Sequence, residues 1–503
     1  MSAENQGTDI PMVNLSIDDK TVAVKAGSTI MDAAKKLGVR VPHFCWHPGL
    51  SVAGVCRLCA VKVEGNPKLQ IACNTPVAEG MKVCTISDDV KQAQKWVLEF
   101  HLVNHPLDCP ICDQAGECKL QDYYMEVGRY DSQVKEDKVL KPKALDVGRH
   151  LVLDTERCIL CSRCVRFEDE ITKTSSLGIF GRGDHATIGT VEGRRIEHNY
   201  SYNLADICPV GAFTSKDFRF KSRVWFLTHT DTTCPGCSTG CSVSLYWNRT
   251  QRQYYRLKPR FDAAVNDHWM CDEGRMMYEH LNPSVRAAQP LVRGERVSWE
   301  KGVAALVEFA AQQRNRGGWE KTALVLTPHY TVEEYVALLI AMGKVMPEHS
   351  PRLFIWRPEG EKIDEFDGIL MRGDRNPNTA GLSQVLRERG LSATTLGSDM
   401  RELAEYCPQQ TLILGPEFAA SYPDFERSLQ RLVELPQTVY FGVAQSETIK
   451  RFSFAFPVKA FAEKLGHYVN FSGKKRMLTP NSVVHVGTLG VDEIWSRVAE
   501  RLS

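Results

Sequence analysis

At 503 residues the chain is too long for one hydrophobic core, and three or four domains fit it. A formal net charge of +1 supplies no overall field for nucleic acid or an anionic membrane, and the apolar share, 43%, is that of a folded globular protein. No stretch approaches the apolar length that spans a bilayer, and the polar opening, residues 1–12 with Glu4 and Asp9, shows neither a secretory nor a twin-arginine signal.

Cysteine usage narrows the class. Of 17 cysteines only Cys407 lies beyond residue 271, so a disulfide framework would leave the rest of the chain nearly bare. Metal ligands fit better. Zinc could occupy any one set of four thiolates, but it does not account for a Cys-x2-Cys-x2-Cys triplet closed by a distant Cys-Pro.

In chain order, Val13, Leu15 and Ile17 alternate, Asp18-Asp19 turns, and Val22 and Val24 return as a hairpin. Ser28 is expected to cap a helix through Met31, Ala34 and Leu37 that stops at Gly38. A hairpin followed by a helix resembles the β-grasp scaffold of plant- and vertebrate-type 2Fe–2S ferredoxins. Cys45-x10-Cys56-x2-Cys59-x13-Cys73 follows at once. Plant ferredoxins use a shorter first gap; the longer one resembles that of respiratory complex I and iron-only hydrogenases. Gly49 and Gly54 let the loop wrap a cluster whose sulfides need N–H donors. Cys84, without a partner, is expected in the core.

Val90, Ala93, Val97, Leu98, His101 and Leu102 repeat at helical spacing over 87–104, and Pro106 breaks the pattern. His101 reads as packing. His105-x3-Cys109-x2-Cys112-x5-Cys118 offers three thiolates and one imidazole at 4Fe–4S spacing, and a His ligand changes a cluster's potential relative to Cys. A polar linker around Pro142 leads to Cys158-x2-Cys161-x2-Cys164, closed by Cys208-Pro209, the usual cradle of a second cube. The alternating run 187–203 reads as a hairpin turning at Glu192-Gly193. Two cubane clusters side by side are expected.

Cys234-x2-Cys237-x3-Cys241, with Cys271 downstream, is a further four-thiolate set; Val243, Leu245 and Tyr246 read as a strand, and Tyr254, Tyr255 and Leu257 as its partner. Four sets take fifteen Cys and one His, leaving Cys84 and Cys407. After residue 280 strands and helices alternate. Strands are expected at 323–326, 353–356, 368–371, 411–414 and 439–443, and helices at 333–346 and 382–389, an α/β pattern with a mainly parallel sheet. Residues 373–378 read as a turn. No Gly-x-Gly-x-x-Gly follows a strand, so no nicotinamide or flavin site is expected.

These four motifs in this order resemble the large iron–sulfur subunit of bacterial respiratory complex I, closely over residues 10 to about 280. The resemblance implies one 2Fe–2S cluster on Cys45, Cys56, Cys59 and Cys73. It implies three 4Fe–4S clusters, on His105, Cys109, Cys112 and Cys118, on Cys158, Cys161, Cys164 and Cys208, and on Cys234, Cys237, Cys241 and Cys271. The C-terminal region resembles the molybdopterin oxidoreductase fold at residues 373–381 and at Glu463-x2-Gly466-x3-Asn470-x2-Gly473. The sequence stops soon after, and a metal-ligating Cys expected downstream of Cys271 is missing, so no molybdopterin is expected.

The implied fold is multi-domain, α+β and α/β: a β-grasp ferredoxin domain at 10–88, a two-cluster domain at 89–225, a third 4Fe–4S subdomain at 226–282 and a shortened α/β molybdopterin-oxidoreductase-like domain at 283–503. The implied function is electron transfer within NADH:quinone oxidoreductase, with no catalytic site of the chain's own. Partners would be a flavin-containing NADH-oxidising subunit, a 2Fe–2S subunit and downstream iron–sulfur and quinone-site subunits, on the cytoplasmic face of the bacterial inner membrane. Related arms of soluble NAD-linked hydrogenase and formate dehydrogenase complexes share the motifs.

Overall fold

The computed structural model describes residues 10–315, 319–358, 363–397, 399–481, 484 and 487–502, so most of the polar opening at residues 1–12 lies outside the described residues. The chain forms two compact units, Met1–Trp225 and Phe226–Ser503. Among the described residues no helix is long and apolar enough to cross a membrane.

The first unit opens with a five-stranded sheet. Strands Met12–Ile17 and Lys20–Lys25 pair antiparallel, with Asp18 (φ 46°) and Asp19 (φ 64°) both left-handed between them, the two-residue turn that matches strand twist. Met12–Ile17 also pairs in parallel with Met81–Cys84, which lies antiparallel to Ala60–Val63. Helix Ile30–Leu37 lays Ile30, Met31, Ala33 and Ala34 on Leu15, Ile17, Val22 and Val24 of this sheet, the β-grasp arrangement. Its cap is Thr29 rather than Ser28, because only Thr29 has an acid three residues on: Asp32 completes the reciprocal capping box. Cys84, at a strand end, is half-buried rather than in the core.

Helix Asp88–Leu102 buries Val90 and Leu98 and ends ahead of Pro106. Helix Lys119–Val127 follows, then an irregular linker, then a small sheet in which Leu151–Leu153 lies between Phe213–Ser215 and Leu145–Asp146. The expected hairpin turning at Glu192-Gly193 is corrected. Thr187–Thr190 pairs instead with the preceding strand Leu177–Phe180, and Ile196 bridges to Gly148. Alternation identifies a strand but not its neighbour.

In the second unit Ser242–Asn248 and Gln253–Pro259 pair antiparallel as expected, joined by a third strand, Leu227–Thr233, too polar to register as one. An eight-stranded sheet follows. Its six parallel strands run Phe454–Pro457, Thr438–Gly442, Gln410–Leu414, Thr322–Leu326, Arg352–Ile355 and Ala393–Thr395, and the hairpin Leu291–Val292/Glu295–Arg296 closes one edge antiparallel. Val325, Phe354, Ile413 and Tyr440 carry its core. The strand expected at 368–371 is not one. The Asp367 carboxylate accepts the N–H groups of Ile369, Leu370 and Met371, and those bonds wind the segment into a tight turn. A last hairpin, Gly466–Val469 with Lys475–Leu478, completes the unit.

Candidate metal centres

The β-grasp sheet presents a long loop that brings Cys45, Cys56, Cys59 and Cys73 together, all four buried. Their sulfurs touch. Thiol contacts from Cys56 and Cys73 hold Cys45 below its ordinary value, and the same contacts with burial push Cys56 and Cys73 up. The Phe44 N–H donates to Cys56 Sγ at 3.4 Å. Gly54 (φ 65°) and Arg57 (φ 59°) take left-handed backbone to fold the loop inward. Mutually touching, N–H-solvated thiols suit a small anionic cluster. His101 lies beside the Cys56 carbonyl of this loop and meets the edge of Phe44, with ring centroids 5.0 Å apart. It supports the loop and lies outside every ligand set.

His105, Cys109, Cys112 and Cys118 line one small pocket with Ala115, Gln121, Arg157 and Gly211. The His105 Nδ1 is buried with no hydrogen-bond partner, and burial lowers this imidazole to about 4, leaving it neutral and able to ligate. Burial pushes Cys118 up to about 11. A Cβ on Gly211 would collide with Cys112 Sγ, so the pocket is shaped by a missing side chain. Three thiols and an orphaned ring nitrogen facing one cavity fit a His-ligated cube.

Cys158, Cys161, Cys164 and Cys208 lie within electrostatic reach of one another; burial raises Cys158 to about 12 and Cys161 to about 11. Leu160 (φ 53°) and Ser162 (φ 59°), both non-glycine and left-handed, turn the triplet, and the Leu160 N–H donates to Cys158 Sγ at 3.4 Å. The last ligand leads straight to the neighbouring pocket. Pro209 accepts the Lys119 N–H at 2.9 Å beside Cys118, and Gly211 abuts Cys112. Residues 208–211 thus join the two sets, a role visible in sequence only as a glycine placed after Cys-Pro.

Cys234, Cys237, Cys241 and Cys271 are all buried and within reach of one another, with Cys234 pushed up to about 12 by burial. A Cβ on Gly274 would stand 3.0 Å from Cys234 Sγ and 3.3 Å from Cys271 Sγ, and the Gly274 N–H donates to Cys271 Sγ. The two C-terminal stretches singled out in the sequence, with Arg476 just past the second, hold this loop. Asp374 O accepts from Ser238 N–H at 2.9 Å, Asn470 Nδ2 donates to Thr239 O at 3.2 Å, and Arg476 Nε donates to Gly240 O at 2.7 Å. Residues 373–378 form a buried turn in which Asn378 bonds Tyr330 O and Val469 N–H. Among the described residues no three His, Cys, Asp or Glu side chains are placed to hold a single metal ion.

Each set falls within one family match. Residues 11–88 match the 2Fe-2S iron-sulfur cluster binding domain, and 94–133 the NADH-ubiquinone oxidoreductase-G iron-sulfur binding region. Residues 148–214 match the ferredoxin-like domain of NADH-quinone oxidoreductase subunit 3, and 227–283 the molybdopterin oxidoreductase Fe4S4 domain. Both C-terminal stretches lie beyond these matches.

The fold and its sites therefore define an iron–sulfur protein, with a 2Fe–2S domain followed by 4Fe–4S domains. Over that series it resembles the iron–sulfur subunit of NADH-quinone oxidoreductases. The NADH-ubiquinone oxidoreductase 75 kDa subunit of Reclinomonas americana is 39% identical over 314 residues, 60% of this chain and 44% of that protein. An NADH-quinone oxidoreductase subunit of Streptomyces coelicolor is 37% identical over 317 residues, 61% of this chain and 37% of that protein. The NADPH-Fe(3+) oxidoreductase subunit alpha of Geobacter sulfurreducens is 35% identical over 324 residues, 64% of this chain and 38% of that protein. The chain thus matches under half the length of each of these relatives. Among solved structures, a chain of an NAD+-reducing NiFe-hydrogenase matches with 29% identity and a TM-score of 0.39, over 42% of this chain and 91% of that one.

Proposed function

We propose that the chain is an electron-transfer subunit in the peripheral arm of NADH:quinone oxidoreductase, passing electrons from a flavin subunit toward quinone. One 2Fe–2S cluster would sit on Cys45, Cys56, Cys59 and Cys73. Three 4Fe–4S clusters would sit on the His105, Cys158 and Cys234 sets, and no molybdopterin. Bound clusters supply one-electron capacity; the chain supplies thiolates, one neutral imidazole, N–H donors to sulfur and exclusion of water, which together set potential. The observation that carries this reading is the continuity of the path. The strap 208–211 joins the Cys158 set to the His105 pocket, and Cys109 gives that pocket an exposed edge for a further iron–sulfur partner. The C-terminal stretches support an empty scaffold, since Asp374 and Asn470 are engaged by the Cys234 loop, as is Arg476 just beyond them. The assembly would lie on the cytoplasmic face of the inner membrane, with a flavin subunit, a 2Fe–2S subunit and quinone-site subunits as neighbours.

Iron and acid-labile sulfide per chain, paired with low-temperature EPR of the reduced protein, test the reading; a colourless preparation ends it. A second reading has the same conduit serve a soluble NAD-linked hydrogenase or formate dehydrogenase complex; the Geobacter relative, named as an NADPH-Fe(3+) oxidoreductase subunit at nearly the same identity, shows that similar chains are not all named for quinone. Co-purification with quinone-site membrane subunits, against co-purification with a soluble catalytic subunit, separates the two.

A further inference from the structure

We propose that Arg163, seconded by Arg166 one turn on, links the Cys45 set to the Cys158 set as a shared buried cation, raising the potential of both centres and holding them in register for electron exchange. This rests on the reading above that both sets carry clusters. Arg163 stands between two ligands of the triplet, Cys161 and Cys164, and opens the short helix Arg163–Phe167. Its side chain is buried and reaches both ways. Nη2 donates to the Trp46 carbonyl at 2.6 Å, next to Cys45, and Nη1 to the Ile207 carbonyl at 2.9 Å, next to Cys208. Arg166 Nη2 donates to the Cys45 carbonyl at 2.5 Å and Nη1 to the Ser51 carbonyl. Glu170, further along the same segment, accepts the Ser51 N–H at 2.8 Å. One segment, anchored at Cys164, therefore clasps the loop that begins at Cys45.

A buried guanidinium normally requires a counter-charge. Among the described residues neither arginine forms an ion pair with a carboxylate, and the charged or titratable groups that face Arg163 are Cys161, Cys208, Tyr123, His43 and Arg166. The negative charge that Arg163 balances is that of the thiolate-bound centres on its two sides. An electron leaving one centre oxidises it by one unit and reduces the other by one. No bond forms, no proton moves, and the same cation faces the added charge before and after. A nearby cation favours the more negative, reduced state, so its removal must lower both potentials.

EPR-monitored redox titration of the assembled complex tests this. In Arg163→Gln the reduced-to-oxidised ratio at fixed potential should fall about tenfold at both the 2Fe–2S and the Cys158-set signals, about 59 mV for a one-electron couple. The His105-set signal should move least. Arg163→Lys, which keeps the charge, should restore most of both shifts, and Arg166→Gln should give smaller shifts of the same sign. A shift at one centre alone, or at neither, overturns the proposal. If Arg163→Gln fails to load both clusters, Arg166→Gln decides by the same criterion. Absence of both signals from the unaltered complex would instead sink the cluster assignments themselves.

Discussion

The His105 set, three thiols and an imidazole, and the Cys234 set, four thiols, are built to opposite ends. Around His105, Cys109 is exposed, Cys112 and Cys118 are half-buried, and residues 208–211 lead on to the next set. Around Cys234 all four sulfurs are buried, and the loop is tied at Thr239 and Gly240 by bonds spanning 131, 231 and 236 residues of chain. A centre that trades electrons with partners needs an edge near the surface and a short route to its neighbour. One whose loop knots together distant segments contributes to the fold whether or not an electron reaches it. On the proposed function, closely related donor sets, placed differently, would serve conduction in one region and cohesion in the other.

The largest test of that contrast removes a ligand from the open region. In the assembled complex Cys112→Ala should reduce NADH-to-quinone transfer to background while NADH-to-ferricyanide activity, which needs only the flavin subunit, persists. Quinone reduction that survived would place the route elsewhere. Gly211→Ala strikes the same pocket without touching a ligand. The added methyl collides with Cys112 Sγ, and Gln114 Cβ stands 3.1 Å away on the other side, so the sulfur must shift. We expect partial loss of the His105-set EPR signal and a several-fold slower transfer, with the Cys158-set signal retained. An unchanged pair of signals would mean that the strap does not shape the pocket.

In the enclosed region Cys271→Ala should do the reverse. Electron transfer in whatever complex assembles should fall modestly, whereas yield and thermal midpoint should fall clearly, because the Cys234 loop loses the centre that its distant bonds converge on. Normal assembly with quinone reduction blocked would turn the contrast upside down. Arg476→Ala sharpens the point. It removes bonds to Gly240 O, Ser242 Oγ and the Asp262 carboxylate at once, leaving that carboxylate only the Ser242 hydroxyl and the Ala264 N–H, a cost of about 2 kcal/mol or more. A denaturation midpoint equal to wild type would remove the clamp from the account.

The legible part of this molecule was the part written in short-range spacing. The β-grasp hairpin follows from Val13, Leu15 and Ile17 against Val22 and Val24, and the parallel sheet from apolar runs such as residues 323–326, because burial on both faces leaves a continuous apolar signature. That the cysteines of each set come together was legible because cysteine spacing is a local geometric constraint. Strands made of polar residues, such as Leu227–Thr233, carry no apolar period, and the pairing of Thr187–Thr190 was misread because a strand's partner is a tertiary fact. Arg163 sits in plain view inside the triplet and Arg166 two residues after it. Nothing in their neighbours' identities says that their side chains reach Trp46 and Cys45, more than a hundred residues upstream. Gly211 is a glycine for a reason that lies at Cys112.

The last test, read as a slope against pH rather than as a loss, also distinguishes the two units. Glu417, wholly buried in the second unit, accepts the Phe461 N–H at 2.5 Å with Oε1, while Oε2 has no hydrogen bond and stands 3.8 Å from Lys464 Nζ. Burial raises its carboxyl to about 7 from an ordinary 4.5, against the opposing charges of Lys464 and Arg286 and with the help of Glu334. The folded state therefore holds the proton more tightly than the unfolded chain. This stabilising contribution is complete below pH 4.5 and is lost as pH rises through 7, a swing of about 3 kcal/mol. Glu417→Gln keeps an acceptor for Phe461 and cannot ionise, and Lys464 retains Glu334 at 3.4 Å. Denaturant titration of the full chain at a series of pH values should show the second unit's stability falling less steeply from pH 4.5 to 7 in the variant, with the first unit's transition unchanged. Parallel slopes in variant and wild type would mean that Glu417 ionises in the folded protein as it does in water, and that the enclosed unit carries no such proton-linked cost.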